Sequence, residues 1–169
     1  MQSCPSLWQF SLKFYQDNGV SQACLMLQDS FGVDVNILLY LMWQAGRGVE
    51  LNFEQIRAVD EFVADWRDNI VRPLRGTRRH LKEMAAKMDE VHRFRQDIKR
   101  IELAAEHIQQ DMLEKKYANF GLSVSSEKLP EHSARIAAAH LAYYSKLLRC
   151  TFPHDEVLIS RLVEIRSMF

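Results

Sequence analysis

Along most of this chain the apolar residues recur at steps of three and four, and no long stretch alternates apolar with polar at a period of two. That spacing predicts helices throughout and no sheet. Ser6 to Gln16 reads as a first helix, stopped by Asp17-Asn18-Gly19 and followed by a turn. Ser21 is placed to cap a second helix running to Phe31, with Gly32 at its end. Asp34 precedes a third, Val35 to Ala45, apolar on nearly every side, and Gly46-Arg47-Gly48 closes it.

Asn52 starts a fourth helix with Ile56, Val59, Val63, Trp66 and Ile70 in one stripe. Pro73 is expected to interrupt it, since proline lacks an N–H and clashes with the turn before it. A helix resumes at Leu74. From Val91 through Phe94, Ile98, Ile101, Ala105 and Ile108 to Met112 the three-four alternation is strict over three heptads, the period of left-handed coiled-coil packing. A single helix from 74 to 119 would be about 70 Å long, so a break is expected near 87–90; the alternative is a protruding stalk. Leu122 to Leu129 reads as a loop, Pro130 opens a helix carrying Ala134, Ala137, Leu141, Tyr144 and Leu148, and Pro153 opens a last one to Arg166. The expectation is an all-α, single-domain bundle of seven or eight helices. It has a short-helix apolar part over 1–50, long helices over 53–120 and C-terminal helices over 130–169. The 90–119 helix is expected to lie antiparallel to the one starting at Pro130.

The chain has 169 residues and equal numbers of basic and acidic side chains, 22 each, so no global field draws it to nucleic acid or an anionic surface. The charges are nevertheless segregated. Residues 1–71 hold 4 Lys/Arg against 9 Asp/Glu, whereas residues 72–100 hold 10 against 4. Cys4, Cys24 and Cys150 are odd in number and widely spaced, which suits a reducing compartment, and the cytoplasm is the expected location. No apolar run approaches the ~20 residues of a membrane span, and no basic leader precedes one.

The usual chemical motifs are missing from the sequence. It has no H-E-x-x-H, no phosphate or dinucleotide glycine loop and no nucleophile elbow, and Asp89-x-x-His92 is a lone near miss for a metal pair. Neither a cofactor nor a metal is expected. Three groups of residues are candidates for binding. Arg72, Arg75, Arg78, Arg79 and Lys82 share one helical face, which could be solvated, could pair with the acidic N-terminal part, or could grip an outside anion. Asp29 lies in the last turn of a helix, where the dipole disfavours an anion, and so needs a partner. Asp34 is explained as a cap. Asn36, Tyr40 and Gln44 form a thin polar stripe that is either a narrow solvent face, a set of internal hydrogen bonds, or a pocket wall with Trp43 and Trp66 as lining.

The segments Leu7-Trp8, Ala23-Cys24-Leu25, Leu27-Gln28-Asp29, Gly32-x-Asp34-Val35-Asn36-x-Leu38-Leu39, and Trp66 with Pro73-Leu74-Arg75-x-x-Arg78-Arg79-x-Leu81-Lys82 resemble a family of short proteobacterial proteins of unknown function. The resemblance spans about residues 7 to 115. It implies a bacterial, cytoplasmic protein and carries no activity, cofactor or catalytic residue. Three functions follow as expectations. The first is a non-enzymatic helical module that docks a protein partner, or a second copy of itself, through the basic face or the heptad helix. The second is a small-molecule binder or enzyme with a pocket near Asp29, Asn36 and Trp66, lined by Asp29, Asp34, Asn36, Tyr40, Trp43, Trp66 and Arg75. The third is RNA binding through Arg72 to Lys82, weakened by the neutral charge balance.

Overall fold

The third helix, α3 (Val35–Gly46), sits at the centre, and every residue from Asn36 to Gly46 is buried. A helix so apolar must be covered on all sides, and the rest of the all-α bundle is arranged to do this. A computed structural model describes residues 4–118, 130–153 and 155–169, and its elements run in the order α1 (Leu7–Tyr15), α2 (Asn18–Phe31), α3, α4 (Phe53–Trp66), a π-helical turn (Arg67–Val71), α5 (Arg72–His80), α6 (Lys82–Ala85), α7 (Asp89–Lys116), α8 (Pro130–Leu147) and α9 (Asp155–Glu164). The loop expected over 122–129 and the helix end expected at 119–121 lie outside the described residues.

Local chemistry sets most helix starts. Ser6 and Gln9 form a capping box on α1, Asn52 and Gln55 another on α4, and the Asp34 carboxylate accepts from the Asn36 N–H at the head of α3. α2 corrects one expectation. Asp17, not Ser21, is its cap, accepting from the Val20 N–H at 3.0 Å, while the Ser21 hydroxyl donates back to the Asn18 carbonyl. Asp17-Asn18-Gly19 is therefore a helix start, and Gly32, at φ 69°, takes the left-handed position that ends α2.

Pro73 corrects a second. The helix does not break there; it widens one turn earlier. Arg72 donates its N–H to the Arg67 carbonyl, an i to i−5 bond, so the backbone reaches Pro73 already adjusted for its missing donor and continues into α5. The break expected near 87–90 is present as the turn at 86–88, after which Asp89 and Glu90 occupy the first turn of α7.

The pairing of the long helices corrects a third. α7 lies antiparallel to the arm α5–α6, and its C-terminal half also packs on α1, α3 and α4. α8 packs on α3, α4 and α9, burying Ile136, Ala137, Leu141 and Tyr144 in the core, and makes no extensive contact with α7. The demand of α3 for cover takes α8 away from the heptad helix. His140 fixes this docking: its Nε2 accepts from the Leu51 N–H at 2.9 Å and its Nδ1 donates to the Leu41 carbonyl at 3.0 Å.

Candidate functional site

α7 is turned inside out relative to its sequence pattern. Its buried residues are Glu102, Ala105, Gln109, Gln110 and Leu113, whereas Phe94, Ile101, Leu103 and Ile108 of the same helix stand 54, 52, 51 and 46% exposed. The inward polar face is held by specific partners. Gln109 Nε2 donates to Asp34 Oδ2 at 2.7 Å, Gln110 Nε2 donates to Asn36 Oδ1 at 2.9 Å, and the Ser11 hydroxyl donates to Gln110 Oε1 at 2.9 Å. One buried chain of hydrogen bonds thus ties α1, α3 and α7. Asp34 does more than cap: burial pushes its pKa up against the opposing pulls of Gln109 and Arg67. Burial also works against the charge on Arg67, but Asp60, Asp68 and Asp34 outweigh it and hold the guanidinium cationic.

The arginine face of α5 is neither free nor turned only to the N-terminal part. Arg75 donates to Glu102 at 3.1 Å and to Glu106 at 2.5 Å, and Arg78 donates to both oxygens of Glu102. Only Arg79, on Asp29 at 2.5 Å, and Arg72, on Asp68 at 2.7 Å, reach the acidic first part. The partner that Asp29 needs is therefore Arg79. The hydrogen bond from Arg79 holds the Asp29 pKa down, although both side chains are about half exposed. Lys82 is exposed and has no ion-pair partner among the described residues. Glu102 and Glu106 are driven apart. Burial opposes the charge on Glu102, but Arg78 and Arg75 bring its pKa below the ordinary value, whereas burial of Glu106 prevails over Arg75 and raises it.

These side chains form one wall of an open cleft of about 580 Å³ between α1, α2, α3, α5 and α7. Leu12, Leu25, Val35, Leu39 and Leu103 make it apolar, and Asn36, Arg75, Arg78, Glu102, Glu106 and Gln110 make its polar side. Trp8 stands at its edge, stacked on His107 with ring centroids 4.1 Å apart. A smaller polar cleft of about 170 Å³ shares Arg75 and holds Asp29, Asp34, Arg72 and Arg79. Asp29 and Asn36 thus border different clefts, and Trp66 borders neither; its indole N–H donates to the Ala105 carbonyl at 3.0 Å. Tyr40 and Trp43 are core residues. Gln44 donates to the Tyr40 hydroxyl at 2.6 Å, and Trp43 donates to the Pro5 carbonyl at 3.0 Å with Arg47 above its ring. The Asn36, Tyr40, Gln44 stripe is therefore a set of internal hydrogen bonds with no solvent face, and only Asn36 touches a cleft.

On the other side of α7 the arm α5–α6–α7 is uncovered. From residue 72 to residue 101 nothing is buried, and Met84 and Met88 at its tip are 47 and 50% exposed. Ile70 and Phe62, on the elements leading into the arm, are also exposed, at 38 and 36%. Phe94, Ile101 and Ile108 recur every seven residues, so they line up along the same side of the helix. The spacing of this stripe predicts either packing on the helix from Pro130 or docking of a partner, and the stripe is exposed; Glu102, Glu106, Gln109 and Gln110 were overlooked. The missed signal was their own three-four spacing with Leu113, a second stripe on α7.

Among the described residues no helix is long and apolar enough to cross a membrane. No curated protein and no solved structure matches the chain. The model of a family described as proteins of unknown function (DUF2390) matches residues 6–113, a span that takes in every residue lining the two clefts and the arm up to Leu113. The chain belongs to that family.

Proposed function

We propose that this protein is a non-enzymatic helical interaction module of the bacterial cytoplasm, docking a protein partner on the apolar flank of the α5–α7 arm. The observation that carries this reading is the inversion of α7: Glu102, Gln109 and Gln110 are buried while Phe94, Ile101 and Ile108, at heptad spacing, are left about half exposed. A heptad seam keeps the same face towards a partner helix along its length. Here α5–α6 covers only one side of that seam. Large apolar side chains left exposed in line along one helix face favour an interaction site.

A photoreactive amino acid placed at position 101 in the cell tests the reading. A discrete cross-linked protein adduct from 101, with none from Ala138 on the exposed side of α8, supports it. No adduct from 94, 101 or 108 overturns it.

The open cleft favours a second reading, a site for an amphipathic small molecule with its apolar body on Leu12, Leu25, Leu39 and Leu103 and its polar end at Arg75, Arg78 and Glu106. RNA binding through the arginine face is not proposed, because Asp68, Glu102, Glu106 and Asp29 already engage four of its five cations.

A further inference from the structure

We infer that the occupant of the apolar flank is a second copy of this chain, in a two-fold dimer whose α7 helices cross antiparallel at Ile101. This rests on the docking reading above and names its partner. Phe94 and Ile108 lie seven residues to either side of Ile101. A two-fold axis at Ile101 therefore sets that residue against its own copy and Phe94 against Ile108 of the second copy, twice. Such an isologous contact closes on itself. With α4–α6 alongside α7 in each copy, the product is a four-helix bundle of ordinary coiled-coil type.

Charge selects the antiparallel direction. The outer part of the arm, residues 82–100, holds 6 Lys/Arg against 4 Asp/Glu, and Lys82, Lys87 and Arg93 have no ion-pair partner among the described residues. The base, residues 53–71, holds 2 Lys/Arg against 5 Asp/Glu, with Glu61 and Asp65 exposed beside Phe62. An antiparallel pair lays the basic outer part of each copy along the acidic base of the other, whereas a parallel pair opposes like with like.

The size also fits. Overlap from residue 88 to its two-fold mate near 114 is about 40 Å of helix, and two helices about 10 Å wide give roughly 800 Å² on each copy, the size of a standard specific interface.

The test uses the purified full chain in sedimentation equilibrium over micromolar concentrations. The expected mass is twice the 19.8 kDa of the chain, and Ile101→Lys, with unchanged helical circular dichroism, weakens the dimer at least about thirtyfold, the effect of losing a central apolar anchor. In a Cys4→Ser, Cys150→Ser background, Ile101→Cys forms a disulfide between copies, and a mixture of Phe94→Cys and Ile108→Cys chains does the same. A monomer at every concentration, a dimer that survives Ile101→Lys, or one that fails to cross-link through position 101 overturns the inference. If the chain is monomeric while position 101 still captures a different protein in the cell, only self-pairing fails. If neither occurs, the docking reading fails with it.

Discussion

Gln109 donates its side-chain amide to the buried carboxylate of Asp34 at 2.7 Å, so one bond joins the start of the central helix to the C-terminal half of the long arm helix. The carboxylate also receives the Asn36 N–H that begins α3. Asp34→Ala removes the cap and strands the Gln109 amide, an expected loss of about 3 kcal/mol from a cap of about 1 and an orphaned buried polar group of about 2. Urea unfolding checks it; a loss below about 1 kcal/mol would show that solvent or another group takes over the carboxylate's bonds.

The two classes of arginine pair should separate in the same assay. Asp29→Asn breaks a contact between side chains that are each about half exposed, and its cost is expected below about 1 kcal/mol and to shrink further in added salt. Arg75→Met leaves Glu102, whose side chain is only 6% exposed, short of one cation and Glu106 without its partner, an expected loss of about 3 kcal/mol. Equal losses from the two variants would contradict the burial difference.

His140 makes stability depend on pH. Burial pushes its pKa down to about 4 from an ordinary 6.5, and its Nε2 must stay unprotonated to accept from Leu51. Because the unfolded chain binds the proton first, this contribution is complete above about pH 6.5 and is lost as the pH falls towards 4, about 3 kcal/mol in all. Urea midpoints measured from pH 7 to pH 4.5 should fall, and the NMR signal of the His140 ring in the folded protein should not titrate above pH 5. A ring that titrates near 6.5 would sink this account.

The cleft gives a fourth prediction. An environment-sensitive apolar anionic dye is expected to bind between Leu25 and Leu103 and to quench Trp8 at the cleft edge. Leu103→Glu, on a residue that is 51% exposed, should weaken binding at least about tenfold without changing the unfolding midpoint. Unchanged binding would remove the second functional reading.

What could be read from the sequence was local chemistry. Asp34 and Asn52 mark helix starts because their side chains accept from backbone N–H groups within one turn. Ser21 misled because Asp17 competes for the same helix and offers a stronger acceptor nearer the turn. The π turn at Arg67–Val71 was hidden, since nothing in Pro73 says whether a helix breaks there or widens before it. The heptad stripe of α7 was plain, but a stripe does not state what covers it; with the polar stripe of Glu102 and Gln109 turned inward, Phe94 and Ile101 face out. The cleft was not legible because Leu12, Leu25 and Leu103 come from three helices and each alone reads as core.

The most direct measurement is the rate at which a membrane-permeant maleimide labels Ile101→Cys inside living cells, in the Cys4→Ser, Cys150→Ser background, relative to Ala138→Cys on the exposed side of α8. If the flank of the arm is covered by a partner, position 101 labels at least about tenfold more slowly than position 138, and the difference vanishes when Phe94→Lys is added. Equal rates in the cell, with both variants folded, would mean that Phe94, Ile101 and Ile108 are bare, and the docking account would be wrong.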